Sequence, residues 1–289
     1  MKQLLILSGK GGTGKTTLAG AFIKLAKAKA YADCDVDAPN LHLVMQQSGN
    51  PKQTDFYGLP KAVINSDQCT HCDLCRKNCR FNAISRVNNI YKVDVYSCEG
   101  CGVCEVLCPE NAIVLKSVAA GKLMLYEDEA VFSTAQLKMG SGTSGLLVTE
   151  VKKQMNSAAP DIGFAVIDGS PGIGCPVIAS LSGVDMVLIV AEPSVSGISD
   201  MERIVKTAQQ FQTKIAVCIN KYDTNLVNTG KIEEFCKKMN LPFVGKIPFD
   251  AEVVKAINKM LSIIDVDCIS GRAAREVFSE VHKILFDES

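Results

Sequence analysis

The chain carries no excess of charge of either sign, since thirty-one lysines and arginines balance thirty-one aspartates and glutamates over 289 residues. No overall field therefore draws it to nucleic acid or to an anionic membrane. It also has no apolar run of bilayer-spanning length, and residues 1–8 are too short for a secretory signal before a glycine-rich stretch begins. These absences predict a soluble, cytoplasmic protein that binds no nucleic acid. What the chain does have is 47% hydrophobic residues, enough for a large core. It also has thirteen cysteines.

Apolar runs at residues 3–7, 164–167, 186–190, 215–219 and 243–247 read as buried parallel strands, with helix-length stretches between them. This rhythm predicts an α/β fold with a doubly wound, mostly parallel sheet. Residues 60–116 break it. Strand character returns at 122–126, so the expected organisation is one domain of residues 1–59 and 117–289, interrupted by a small inserted domain at 60–116. Residues 138–145, rich in glycine and serine, read as a mobile loop.

The first strand runs into Gly9-Lys10-Gly11-Gly12-Thr13-Gly14-Lys15-Thr16-Thr17, and residues 15–27 then show helical spacing. Glycines at a strand-to-helix junction let backbone N–H groups turn around phosphate oxygens at the helix N-terminus. In such a loop Lys15 reaches the β- and γ-phosphates, and the Thr16 hydroxyl ligates Mg²⁺. Carboxylates that can serve a phosphate site occur at Asp33, Asp35 and Asp37, and again at Asp168 in Asp168-Gly169-Ser170-Pro171-Gly172.

With its second lysine, Lys10, the loop resembles that of the MinD/ParA ATPases and the nitrogenase iron protein. The resemblance implies an ATP-sandwiched homodimer, or a heterodimer with a related ATPase, in which Lys10 reaches the partner's nucleotide. It further implies that Asp35 orients the attacking water and that Asp168 joins Thr16 at Mg²⁺. Asn220-Lys221-Tyr222-Asp223 resembles a base-recognition segment whose asparagine contacts adenine, although Asp223 also suits a guanine reader. ATP is preferred on the family resemblance and not on this tetrad.

Eight cysteines form two copies of one spacing, Cys69-x2-Cys72-x2-Cys75-x3-Cys79 and Cys98-x2-Cys101-x2-Cys104-x3-Cys108. Residues 69–84 and 98–113 align at an offset of 29, each copy ending Asn-Ala-Ile, which implies pseudo-twofold symmetry. The spacing resembles that of bacterial two-cluster ferredoxins, in which three cysteines of a run hold one [4Fe–4S] cluster and the fourth holds its neighbour. The resemblance implies a ferredoxin-like α+β insert with thiolates kept reduced. It places Cys69, Cys72, Cys75 and Cys108 on one cluster and Cys98, Cys101, Cys104 and Cys79 on the other. Arg80 stands where the pattern has proline after Cys79, whereas Pro109 follows Cys108. Cys34, Cys218, Cys236 and Cys268 read as packing residues, and so does Cys175, although it sits near the start of a helix.

Together these features point first to a Mg²⁺-dependent ATPase with two [4Fe–4S] clusters, acting in electron transfer or in redox-coupled contact with an unidentified partner protein. The second reading is a regulatory or positioning ATPase of the MinD/ParA kind whose clusters sense redox state or support structure. The third is a cluster-assembly ATPase, which lacks support because no C-terminal Cys-x-x-Cys occurs. The apolar stripe of Val277, Phe278, Val281, Ile284 and Leu285 is expected to face the core and not a membrane.

Overall fold

The computed structural model describes residues 1–47 and 49–287. The chain opens with β1 (Lys2–Leu7), α1 (Lys15–Ala26), β2 (Ala30–Asp33), the single turn α2 (Leu41–Val44) and β3 (Lys52–Tyr57). A cysteine-rich stretch follows as β4 (Lys61–Ile64), α3 (Leu74–Lys77), β5 (Ile84–Val87), β6 (Ile90–Val93), α4 (Val103–Val106) and β7 (Ile113–Lys116). The chain then forms β8 (Ala119–Glu127), β9 (Val131–Leu137), α5 (Ser144–Ala158), β10 (Phe164–Asp168), α6 (Cys175–Leu181), β11 (Met186–Ala191) and α7 (Val195–Ala208). It ends with β12 (Lys214–Asn220), α8 (Leu226–Lys238), β13 (Phe243–Ile247), α9 (Ala251–Asn258) and α10 (Ile269–Phe286).

One nine-stranded sheet runs β13-β12-β11-β1-β10-β2-β9-β8-β3. From β13 to β9 every pairing is parallel, and β8 and β3 close the edge antiparallel. Alternation along β1 feeds two cores. Leu5 and Leu7 pack with α5, α6, α7 and α8 on one face, while Leu4 and Ile6 pack with α1 and α10 on the other. The stripe on α10 does face the core, with Val277, Val281 and Leu285 buried against Phe22 and the sheet.

Two boundaries differ from the sequence expectation. Ser144 and Gly145 belong to α5 and not to the preceding loop, because α5 must approach α6 closely there: a Cβ on Gly145 would lie 3.2 Å from the Cys175 Cβ. The last helix begins at Ile269, earlier than its apolar stripe shows, because Cys268 acts as the N-cap and its sulfur accepts from the Gly271 N–H at 3.2 Å.

The cysteine-rich stretch stays out of the large sheet. β4 pairs with β7, and β5 pairs with β6, in two separate antiparallel sheets. Each element of β4, α3 and β5 recurs 29 residues later as β6, α4 and β7, so each small sheet takes one strand from each repeat. Ala62, Ala83, Cys98 and Ile113 form a core of their own between them.

Candidate functional site

The phosphate loop joins β1 to α1, with Gly12 and Gly14 at φ of 79° and 92°. These left-handed values suit glycine alone among common residues without strain. Crowding adds to the requirement at Gly14, where a Cβ would sit 2.2 Å from the Asn220 amide nitrogen. A cavity of about 910 Å³ opens over the loop at the C-terminal edge of the parallel strands, where ligands of open α/β sheets bind. Lys10 to Thr17 line it, as do Asp35, Asn220 and Lys221. Gly9 does not, because its Cα faces the Asp200 side chain.

Lys15 is the electrostatic centre. Its ammonium lies 2.5 Å from Asp168 Oδ1, with Lys15 6% and Asp168 0% exposed. Burial opposes the charge on Lys15, but Asp168, Asp33 and Asp35 outweigh it and hold the pKa above the ordinary value. The other Asp168 oxygen, Oδ2, is buried without a hydrogen-bond partner. A buried carboxylate oxygen with no donor is costly unless a cation completes it. With the Thr16 hydroxyl 3.5 Å from Lys15 Nζ, this donor pair suits a hard divalent cation such as Mg²⁺.

Of the three candidate carboxylates after β2, the structure separates the roles. Asp33 is fully buried and accepts from the backbone N–H groups of Asp35, Asn40 and Leu41 at 3.0, 2.9 and 2.9 Å. It folds the segment back on itself. Burial first, and then the charge of Asp168, push its pKa up to about 7. Asp37 is exposed, and Asp35 lines the cavity. Burial also raises the Asp35 pKa, against the pull of Lys15.

Of the base-recognition segment, Asn220 and Lys221 line the cavity and Asp223 does not. Asn220 donates to the Thr13 carbonyl at 2.6 Å and accepts from the Lys221 N–H at 3.0 Å, so its amide braces the loop. Lys221 donates to the Gly12 carbonyl at 2.9 Å. Asp223 accepts from the Phe249 N–H at 2.7 Å and does not line the cavity, so its carboxylate holds a loop instead of facing a guanine. Sequence reading missed the cavity's far wall, made by Ile247, Pro248, Phe249, Val253 and Ile257. It also missed Glu192 and Ser194, which hold Lys10 at 2.9 and 3.1 Å. Glu192 directly follows the β11 run, as Asp168 ends β10 and Asn220 ends β12, but what it touches is set by the order of strands in the sheet.

The eight motif cysteines gather in two small cavities. Cys69, Cys72, Cys75 and Cys108 line one, and Cys79, Cys98, Cys101 and Cys104 line the other. Strand exchange explains the crossing. The last cysteine of each repeat precedes β5 or β7, and those strands pair with the first strand of the other repeat. Backbone N–H groups of Ala83 and Ala112 donate to Cys79 and Cys108 sulfur at 3.4 and 3.3 Å. Burial, the largest cause, raises the thiols of Cys75 and Cys104. Among the described residues, no three Cys, His, Asp or Glu side chains converge closely enough to hold one metal ion. Of the other cysteines, Cys34, Cys218, Cys236 and Cys268 are buried and Cys175 is exposed.

An uncharacterized protein of Methanocaldococcus jannaschii is 29% identical, over 98% of this chain and 97% of its own length. The septum site-determining protein MinD of Helicobacter pylori is also 29% identical, over 98% of this chain and 90% of its own. Among solved structures, the septum site-determining protein MinD from Pyrococcus horikoshii, complexed with Mg-ADP, matches with a TM-score of 0.59 at 17% identity, covering 99% of this chain and 97% of that one. This likeness shows the shared fold. Residues 4–263 match the CobQ/CobB/MinD/ParA nucleotide binding domain, and the chain belongs to that family.

Proposed function

We propose that this MinD/ParA-like ATPase works as a dimeric switch that regulates or positions a partner protein, and that it carries two [4Fe–4S] clusters. The observation that carries the ATPase reading is the placement of Lys10, Lys15, Thr16 and Asp35 around one cavity with Asp168 buried behind Lys15. In hydrolysis, water attacks the γ-phosphorus while the bond to the β–γ bridging oxygen breaks. Asp35 orients that water, Lys15 offsets charge on the phosphoryl oxygens, and Lys10 does so from the partner protomer. Thr16 and Asp168 would hold Mg²⁺, which would supply charge neutralisation at the phosphates. The apolar wall from Ile247 to Ile257 and the engagement of Asp223 favour adenine over guanine.

The regulatory role is preferred because the named relative is a septum site-determining protein. A second reading, ATP-coupled electron transfer, draws on the two cysteine-lined cavities. Four thiols spread around a cavity, without convergence on one point, suit a four-iron cube taking one thiolate per iron. On this reading residues 60–116 are an inserted cluster module, and residues 1–59 with 117–289 are the ATPase.

Lys15→Ala is expected to lower Mg²⁺-dependent ATP hydrolysis at least about a hundredfold. Undiminished turnover would remove the reading. Potentiometry with ADP or an ATP analogue separates the two roles: cluster potentials that shift with nucleotide support electron transfer, and constant potentials with ATP-dependent partner binding support the regulatory switch.

A further inference from the structure

β11 lies between β1 and β12 in the sheet, so the residue just beyond it emerges between the start of the phosphate loop and the Asn220-Lys221 brace. That residue is Glu192. Its Oε2 lies 2.9 Å from Lys10 Nζ, and its Oε1 lies 3.4 Å from Lys221 Nζ. Lys10 also donates to Ser194 Oγ at 3.1 Å, and Lys221 donates to the Gly12 carbonyl at 2.9 Å. One carboxylate thus offsets two cations that flank the phosphate loop. Burial alone would raise the Glu192 pKa, but these lysines bring it below the ordinary value, so the carboxylate is charged at neutral pH.

The contact also fixes where Lys10 is. The Lys10 ammonium is thus engaged by a carboxylate and a hydroxyl of its own chain. Yet the pair is open to water, with side chains 36% and 21% exposed. A partly exposed ion pair of this kind is weak and exchangeable. A lysine on a flexible stem can trade one anion for another of higher charge.

We infer that Glu192 is a displaceable counter-anion that retains Lys10 on its own protomer and thereby sets the protein concentration at which ATP brings two copies together. Glu192 is a positioning residue, acting through Lys10, and the inference rests on the proposed cross-protomer role of that lysine. Association requires Lys10 to exchange Glu192 for the phosphates of the partner's nucleotide. Two such contacts open per symmetric dimer, so their effects multiply.

The test uses the full chain, prepared anaerobically, with Mg²⁺ and a slowly hydrolysed ATP analogue, followed by sedimentation velocity over a protein dilution series. Wild type, Glu192→Gln, Lys10→Ala and the double variant are compared. Relief of about threefold per contact makes the Glu192→Gln dimer form at roughly tenfold lower protein concentration. In the Lys10→Ala background the same substitution is expected to change nothing. An unchanged threshold in Glu192→Gln, or a shift that persists without Lys10, overturns the inference while leaving the Lys10 reading intact. A Lys10→Ala protein that dimerises like wild type overturns that reading and the inference with it. Nucleotide titration at concentrations where every variant is monomeric provides the structural control. There Glu192→Gln is expected to bind the analogue within about twofold of wild type, and loss of binding would make Glu192 a framework residue and overturn the inference.

Discussion

At the scale of single residues, burial decides which groups can do chemistry. Cys34 and Cys218 are buried, and burial pushes both thiols up to about 12, so neither has appreciable thiolate at pH 8. Cys175 is exposed. Maleimide labelling of the native protein at pH 8, mapped by mass spectrometry, is therefore expected to modify Cys175 and to reach Cys34 and Cys218 only after unfolding. Asp250 offers a pH test. It caps α9 by accepting from the Glu252 N–H at 2.9 Å and also accepts from the Ser270 N–H at 3.3 Å. Although burial works against its charge, these N–H groups hold its pKa below the ordinary 3.8. A carboxyl lowered on folding stabilises the protein above its unfolded pKa and loses that contribution as pH falls through the folded value. Asp250→Ala should cost about 1 kcal/mol in urea denaturation at neutral pH. The difference from wild type is expected to shrink only below pH 3.8.

At the scale of elements, strands were legible where both faces are buried. β1, β10, β11 and β12 are short apolar runs because helices cover the sheet on each side, and a contiguous run is what such burial requires. β2 is equally buried but too short to give a run, and β13, at the sheet edge, buries only Val244 and Ile247. β3 gave no such signal. It is a polar edge strand, Lys-Gln-Thr-Asp-Phe-Tyr, with only Phe56 buried, and its antiparallel pairing with β8 does not need an apolar pattern on both faces. Close approach of backbones was equally invisible, since it depends on partners distant in sequence. Gly271, in the first turn of α10, shows the consequence: a Cβ there would lie 2.3 Å from the Ile263 carbonyl oxygen, an atom that cannot rotate away. Gly271→Ala is expected to lower stability by about 1–3 kcal/mol in urea denaturation. An unchanged midpoint would show that the loop before α10 yields freely.

At the scale of the whole molecule, the phosphate site was readable because its residues are contiguous around one loop. Glu192 was not, since its importance comes from strand order: β11 neighbours β1 only in the folded sheet. The cysteine spacing was legible as a resemblance, and the strand pairing supplies the physical reason why the cysteines group across the two repeats. Cys79 belongs to the first run but lines the cavity of the second. On the proposed cluster reading, Cys79→Ser is expected to perturb the iron centre that Cys98, Cys101 and Cys104 would hold, and to spare the other in EPR and iron analysis. Loss confined to the centre of Cys69, Cys72 and Cys75 would contradict it. The exchange of strands between repeats carries one more consequence. A chain holding β4, α3 and β5 alone would leave both strands without partners, because β4 finds its mate in β7 and β5 in β6. Such a fragment could satisfy them only by embracing a second copy of itself, so the cysteine-rich stretch has the architecture of a symmetric dimer whose two subunits have been spliced into a single thread.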